Sequence, residues 1–109
     1  PMFEIVDVED NVIVNATNNF NLTNFPNPFN PETTISFSVT QNSDFVNLEV
    51  YNIKGQKVKT LINEQMQKGK HTAIWSGVDE NNKPVSSGIY LYKIKAGNQE
   101  SVKRMLLLK

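Results

Sequence analysis

Hydrophobic and polar residues alternate along most of this chain, in short runs separated by turn-forming clusters. From Thr33 to Thr40, Ile35, Phe37 and Val39 share one face of a strand, and Thr34, Ser36 and Ser38 share the other. Val46 to Ile53 places Val46, Leu48 and Val50 on one face. Lys54-Gly55 reads as a tight turn, because glycine supplies a positive φ without steric cost. Gln56 to Ile62 then pairs back, with Val58 and Ile62 inward and Lys57 and Lys59 outward. Asn63 to Gly69 reads as a polar connection, and Lys70 to Trp75 sets His71, Ala73 and Trp75 on one side. After a polar loop from Val78 to Ser87 comes the most strand-like run, Gly88 to Ile94, with Tyr90, Tyr92 and Ile94 on one face. Ala96-Gly97-Asn98 is a hairpin turn, and Glu100 to Leu108 forms the last strand. The pattern predicts an all-β chain, an antiparallel β-sandwich of about seven strands with no convincing helix.

Two stretches depart from the alternation. Phe25 to Pro31 holds three prolines, Pro26, Pro28 and Pro31, which fix φ and remove backbone donors. It is expected to be an extended, kinked edge with Phe25 and Phe29 tucked inward. Residues 1–19 contain β-like runs, Phe3 to Val8 and Val12 to Val14, around a turn at Glu9-Asp10-Asn11, and an asparagine-rich run begins at Asn15. They are taken as a linker or the end of a preceding region, with an extra hairpin as the alternative. The domain itself is expected to span residues 20–109. Asn15-Ala16-Thr17 and Asn21-Leu22-Thr23 match a glycosylation sequon, a pattern that arises by chance in asparagine-rich sequence.

Composition sharpens this. A chain of 109 residues makes one domain and buries a working core without staples. It contains no cysteine, so it has neither disulfides nor thiolate chemistry, and no Cys…Trp…Cys frame of an antibody domain. The wider immunoglobulin-like architecture still fits. No apolar run approaches the roughly 20 residues that cross a membrane as a helix. The start, Pro1-Met2-Phe3, lacks the basic end of a signal peptide and is expected of an excised piece of a longer chain. Net charge is zero but unevenly spread: residues 1–50 carry seven acids and no base, and the remainder four acids and eleven bases. Lysines on solvent-facing strands and edges explain this, since they discourage edge-to-edge pairing. A basic face for an anionic partner is the alternative. No nucleic-acid motif accompanies the scattered bases.

Catalytic chemistry finds little support. His71 is the only histidine, and no nucleophile elbow accompanies it, although Ser76 and Asp79 lie near in sequence. No cofactor or metal site is expected. The loop Val78 to Lys83 offers hard oxygen ligands for calcium, but Asp and Asn in such loops usually bond their own backbone.

Four blocks then stand out as a set. Asn24-Phe25-Pro26-Asn27-Pro28-Phe29-Asn30-Pro31-Glu32-Thr33-Thr34-Ile35 resembles the opening of the C-terminal sorting domain of the type IX secretion system, the type A secretion tail. Val50 to Val58, Ser87 to Ile94 and Lys103 to Lys109 resemble its later blocks, in the same order. The middle blocks, Trp75 through Tyr92, are also similar to the immunoglobulin-like domain of the flagellar hook-capping protein. Trp75 and the long proline block lean toward that branch.

The resemblance implies a non-catalytic secretion signal, secreted or at the cell surface. It would carry a covalently attached upstream cargo from the periplasm through an outer-membrane translocon. A sortase-like peptidase would remove it near Phe20, with the cargo joined to anionic lipopolysaccharide. The implied recognition residues are Lys103, Arg104, Met105, Leu106, Leu107, Leu108 and Lys109. Pro26, Asn27, Pro28, Phe29, Pro31, Gly55, Trp75, Gly88 and Tyr90 match shared positions and are read as fold-makers. The last strand is expected to be an edge or near-edge strand, read by strand addition or by groove contacts. The alternative is a structural accessory or spacer module. Sugar binding ranks low, because Trp75, Tyr90 and Tyr92 are buried by pattern and Tyr51 is the one obvious outward aromatic.

Overall fold

The computed structural model describes residues 20–40 and 44–109, so the hairpin or linker expected over 1–19 lies outside the described residues. Seven strands occur among the described residues: β1 (Thr23–Phe25), β2 (Thr33–Val39), β3 (Asp44–Asn52), β4 (Lys57–Met66), β5 (Gly69–Trp75), β6 (Gly88–Ala96) and β7 (Gln99–Leu107). They form two antiparallel sheets, one ordered β1-β2-β5 and the other β4-β3-β6-β7. This is the immunoglobulin-like β-sandwich that the alternation predicts.

The inward residues are those the period of two selects. Ile35, Phe37 and Val39 from β2, Val46, Leu48 and Val50 from β3, and Tyr90, Tyr92 and Ile94 from β6 are all buried. Register holds them together: Leu48 faces Ile94 and Val50 faces Tyr92 across the β3–β6 pair. A slip of one residue would turn each of these side chains to water, which fixes the pairing.

Two expectations need correction. β4 continues through Met66, where a polar connection over Asn63 to Gly69 was expected. Asn63, Glu64, Gln65 and Met66 pair with Asn47, Val46, Phe45 and Asp44, so ladder hydrogen bonds hold an outer strand that carries few apolar residues. Phe25 is 80% exposed, not tucked inward. It lies opposite Thr34, whose row alternates away from the buried Ile35, so pleating sends Phe25 outward. The asparagine-rich run also conceals β1 and two core residues, Phe20 and Leu22.

The aromatic centre joins the sheets. Trp75 is fully buried, with its ring centroid 5.1 Å from Tyr90 and 5.8 Å from Phe29. Its indole N–H donates to the Val78 carbonyl at 2.8 Å, and the Tyr90 hydroxyl donates to the Ser86 carbonyl at 2.7 Å. The long loop after β5 therefore satisfies the polar ends of the rings it covers.

Candidate recognition surface at the terminal strand

The segment Pro26–Pro31 positions the end of the chain. Asn24 starts the arrangement: its Oδ1 accepts from the Tyr92 hydroxyl at 3.0 Å, and its Nδ2 donates to Thr33 Oγ1 at 3.1 Å. Thr33 Oγ1 in turn donates to the Pro26 carbonyl at 2.8 Å. Prolines deprive the segment of ladder donors, and these side chains hold it instead. Phe29 drops into the core, 2% exposed, against Trp75.

Phe29 thereby reaches β7. Its N–H donates to the Leu106 carbonyl at 3.0 Å, and its carbonyl accepts from Leu108 N–H at 2.9 Å, a parallel bridge to Leu107. Asn27 Oδ1 accepts from Leu106 N–H at 3.0 Å. Lys109 N–H donates to Ser87 Oγ at 2.9 Å. β7 is the outer strand of its sheet, as the sequence suggests, but its last turn of backbone is already paired. Strand addition at 106–108 is closed by the protein's own clasp. Of the two expected modes of reading this strand, strand addition is thus blocked at 106–108, and groove contacts are left.

The seven sequence-assigned recognition residues separate by face. Met105 and Leu107 are buried in the core. Lys103 lies opposite the buried Tyr92, so it shares their inner side and emerges at the sheet margin, half-buried. An inward-facing lysine on an outer strand is a device against edge pairing. Arg104 and Leu106 are half-buried on the outer face, Leu108 is 48% exposed, and Lys109 is exposed. Ile89 and Leu91 were not assigned to the site from sequence, and Asn27 was read as a fold-maker and not as a recognition residue. Ile89 lies opposite Leu106 and Leu91 opposite Arg104. Their positions in an alternating strand gave the facing, but only the pairing shows what they face.

Residues read as fold-makers take structural positions. Gly55 closes the β3–β4 turn at φ +87°, where Asn52 Oδ1 accepts from Lys54 and Gln56 N–H at 2.9 and 3.0 Å. Gly88 opens β6 opposite Leu107. Pro31 presents its carbonyl to Gly77, and a Cβ at Gly77 would stand 3.1 Å from that oxygen.

The outer face of β3 and β6 carries a polar cluster. Tyr51 donates its hydroxyl to Glu49, Lys57 Nζ lies 3.5 Å from Glu49 Oε2, and Lys93 Nζ sits 5.2 Å from the Tyr51 ring centroid. Desolvation alone would raise the Glu49 pKa. The Tyr51 hydroxyl and Lys57 outweigh it and hold the carboxyl below the usual value. Burial, then the Glu49 hydrogen bond and charge, pushes Tyr51 up to about 12.

The loop read as a calcium candidate spends its oxygens on backbone. Asp79 Oδ1 accepts from Asn81 and Lys83 N–H at 2.8 and 3.0 Å, and the Lys83 bond is the main cause lowering its pKa. Glu80 Oε2 accepts from Thr60 N–H at 2.6 Å. His71 sits on an outer strand, with Nε2 2.8 Å from the Gln67 carbonyl and its ring beside Phe37. Among the described residues no three His, Cys, Asp or Glu side chains group as metal ligands. Among the described residues no helix is long and apolar enough to cross a membrane.

Two antiparallel sheets packed over one core define an immunoglobulin-like module. The chain belongs to the FlgD Ig-like domain family, which it matches over residues 24–100. That match stops early in β7, before the Lys103–Lys109 block. Among solved structures, the fold is similar to FlgD from P. aeruginosa, with 20% identity and TM-score 0.57, covering 69% of this chain and 59% of that one. Latent dimeric PorU from Porphyromonas gingivalis matches at 18% identity and TM-score 0.67, over 94% of this chain and 10% of PorU. PorZ from the same organism, described as an essential bacterial surface component of the type IX secretion system, matches at 13% identity and TM-score 0.57, over 82% of this chain and 12% of PorZ. The chain thus spans little more than half of one relative and about a tenth of the other two. No curated protein matches this chain.

Proposed function

We propose that this domain is a non-catalytic C-terminal sorting module of a larger secreted protein, with residues 20–109 as the module and 1–19 as its link to upstream cargo. One observation carries the reading. The terminal block is built so that alternate residues anchor it and alternate residues are presented. Met105 and Leu107 lock into the core, Phe29 and Asn27 clamp the backbone, and Arg104, Leu106, Leu108 and Lys109 are turned outward or left at the end. Strand residues held on one face and presented on the other offer a partner a fixed surface. The four sequence blocks and the likeness of fold to a type IX surface component support the same assignment. In this reading the partners are the translocon and a sortase-like peptidase cutting near Phe20. Anionic lipopolysaccharide is the final anchor, and the destination is the cell surface or medium.

A structural linker is the second reading, and membership of the FlgD Ig-like family supports it. Phe20 lies with Val39 and the Ala96–Gln99 turn, while Lys109 lies at Ser87, beside the start of β6. The chain therefore crosses the sandwich from end to end, along the roughly 30 Å of a nine-residue strand.

Export of a reporter separates the two. A periplasm-targeted fluorescent protein is fused to residues 1–109 in a host with type IX machinery. Export that disappears in a translocon mutant, and on deletion of Leu106–Lys109, is expected. Periplasmic retention of the intact, folded fusion would leave the structural linker.

A further inference from the structure

We propose that the outer edge of β4 is a pairing surface for a second copy of this chain, and that the acidic loop between β5 and β6 keeps it closed by standing in for the missing strand. The inference does not depend on the sorting reading and holds equally for a structural linker.

Among the described residues β4 is the longest strand and lies at the end of the β4-β3-β6-β7 sheet. A strand in that place offers a row of backbone groups to an extended neighbour. The β3–β4 ladder skips Leu61. Beside that irregularity the Thr60 N–H donates to Glu80 Oε2 at 2.6 Å. The loop thus supplies an acceptor where another strand would supply a carbonyl. Its turn is made without Glu80. Val78 bridges Pro84, Asp79 N–H donates to the Lys83 carbonyl at 2.9 Å, and Asp79 Oδ1 accepts from Asn81 and Lys83. Asp79 also feels the charge of Lys59, after the larger effect of the Lys83 N–H. Two adjacent residues of β4 therefore receive what a partner strand would give them: an acceptor for Thr60 and a carboxylate for Lys59.

The occupant follows from the charge along β4. Lys59 lies opposite Val50 and Glu64 opposite Val46, both buried, so the two charges stand on one face of the strand. A second β4 laid antiparallel, with Leu61 against Ile62, sets Thr60 against Asn63 and Lys59 against Glu64. Two-fold symmetry repeats the pair. The strand carries its own complement, and Glu64 of the other copy takes the place of Asp79. Lys57 adds nothing to this match, because Glu49 holds it. The other outer strand of the sheet, β7, is closed by the same kind of device, a contact from a distant segment through Asn27 and Phe29.

The test uses the purified chain of residues 1–109. Glu80→Ala removes the acceptor. Glu80→Lys removes it at a similar reach and replaces the first variant if circular dichroism shows that the first has lost its fold. Glu80→Gln keeps an oxygen there and is the control. In sedimentation velocity Glu80→Ala is expected to dimerise at least tenfold more tightly than the parent, and Glu80→Gln to match the parent. Adding Glu64→Lys should abolish the dimer by setting lysine against Lys59, and adding Lys59→Glu as well should restore it. In dilute, monomeric samples the Thr60 amide should exchange faster in Glu80→Ala than in the parent.

A folded Glu80→Ala chain that associates no more than the parent overturns the pairing surface. Unchanged Thr60 exchange overturns the closing role of the loop. A dimer that survives Glu64→Lys lies on another surface and overturns the proposal as well. So does a Glu80→Gln chain that dimerises as Glu80→Ala does.

Discussion

Phe25 and Phe29 stand four residues apart in the same proline-rich run and do opposite things. Phe29 fills the space beside Trp75, whereas Phe25 projects into solvent. Phe29→Ala should cost about 3–5 kcal/mol, because it empties a core position that also seats the clasp. Phe25→Ser should fall within about 0.5 kcal/mol of the parent. Urea denaturation followed by Trp75 fluorescence measures both. Glycines divide in the same way. Gly55 has open space where a Cβ would go, so only its positive φ resists substitution, at roughly 1 kcal/mol. Gly77→Ala adds a contact with the Pro31 carbonyl to a φ of +72° and should cost more, on the order of 1–3 kcal/mol.

The Glu49–Tyr51 pair gives two pH signatures. Glu49 titrates lower in the folded chain than in the unfolded one, so its contribution is present above the unfolded carboxylate value and is lost as pH falls through the folded one. Tyr51 is raised from 10.0 to about 12, so its contribution is full below pH 10 and is lost as pH climbs toward 12. Spectroscopic titration at 295 nm should find tyrosine ionisation delayed in the folded domain. Burial raises Tyr90 and Tyr92 as well. Tyr51→Phe should remove the delay belonging to that residue and let Glu49 titrate closer to its ordinary value. An unchanged acid limb in the stability profile of Tyr51→Phe would contradict the coupling.

Among the elements, β7 behaves least like its sequence. Its extent as a strand was legible, and so was its place at the margin of a sheet. Its closure was not, because Phe29 and Asn27 come from the other end of the chain. Hydrogen exchange tests that closure directly. The Leu106 and Leu108 amides should be protected in the parent, and Asn27→Ala should speed Leu106 exchange at a stability cost of about 1 kcal/mol. Fast exchange at both amides in the parent would mean that the edge is open. β1 and the far end of β4 were illegible for a related reason. Both are short of apolar residues, and pairing with a neighbour holds them in place of a hydrophobic face.

At the scale of the molecule, the two sheets share one aromatic centre, and the termini of the described chain lie at opposite ends. A core this continuous should unfold as a unit. Thermal transitions followed by the single tryptophan and by far-ultraviolet circular dichroism are expected to coincide. Separate midpoints would show that one sheet melts without the other.

The sequence by itself determined the inward faces of β2, β3 and β6, because the period of two is a local property of each run. It also determined the turn at Gly55 and the absence of cysteine. Only the tertiary structure decided which phenylalanine of the proline run is core, where the Tyr92 hydroxyl finds its partner, and which terminal residues are held and which presented. Those depend on contacts between segments as distant as Asn24 and Tyr92 or Asn27 and Leu106, and no local pattern records a partner so far along the chain.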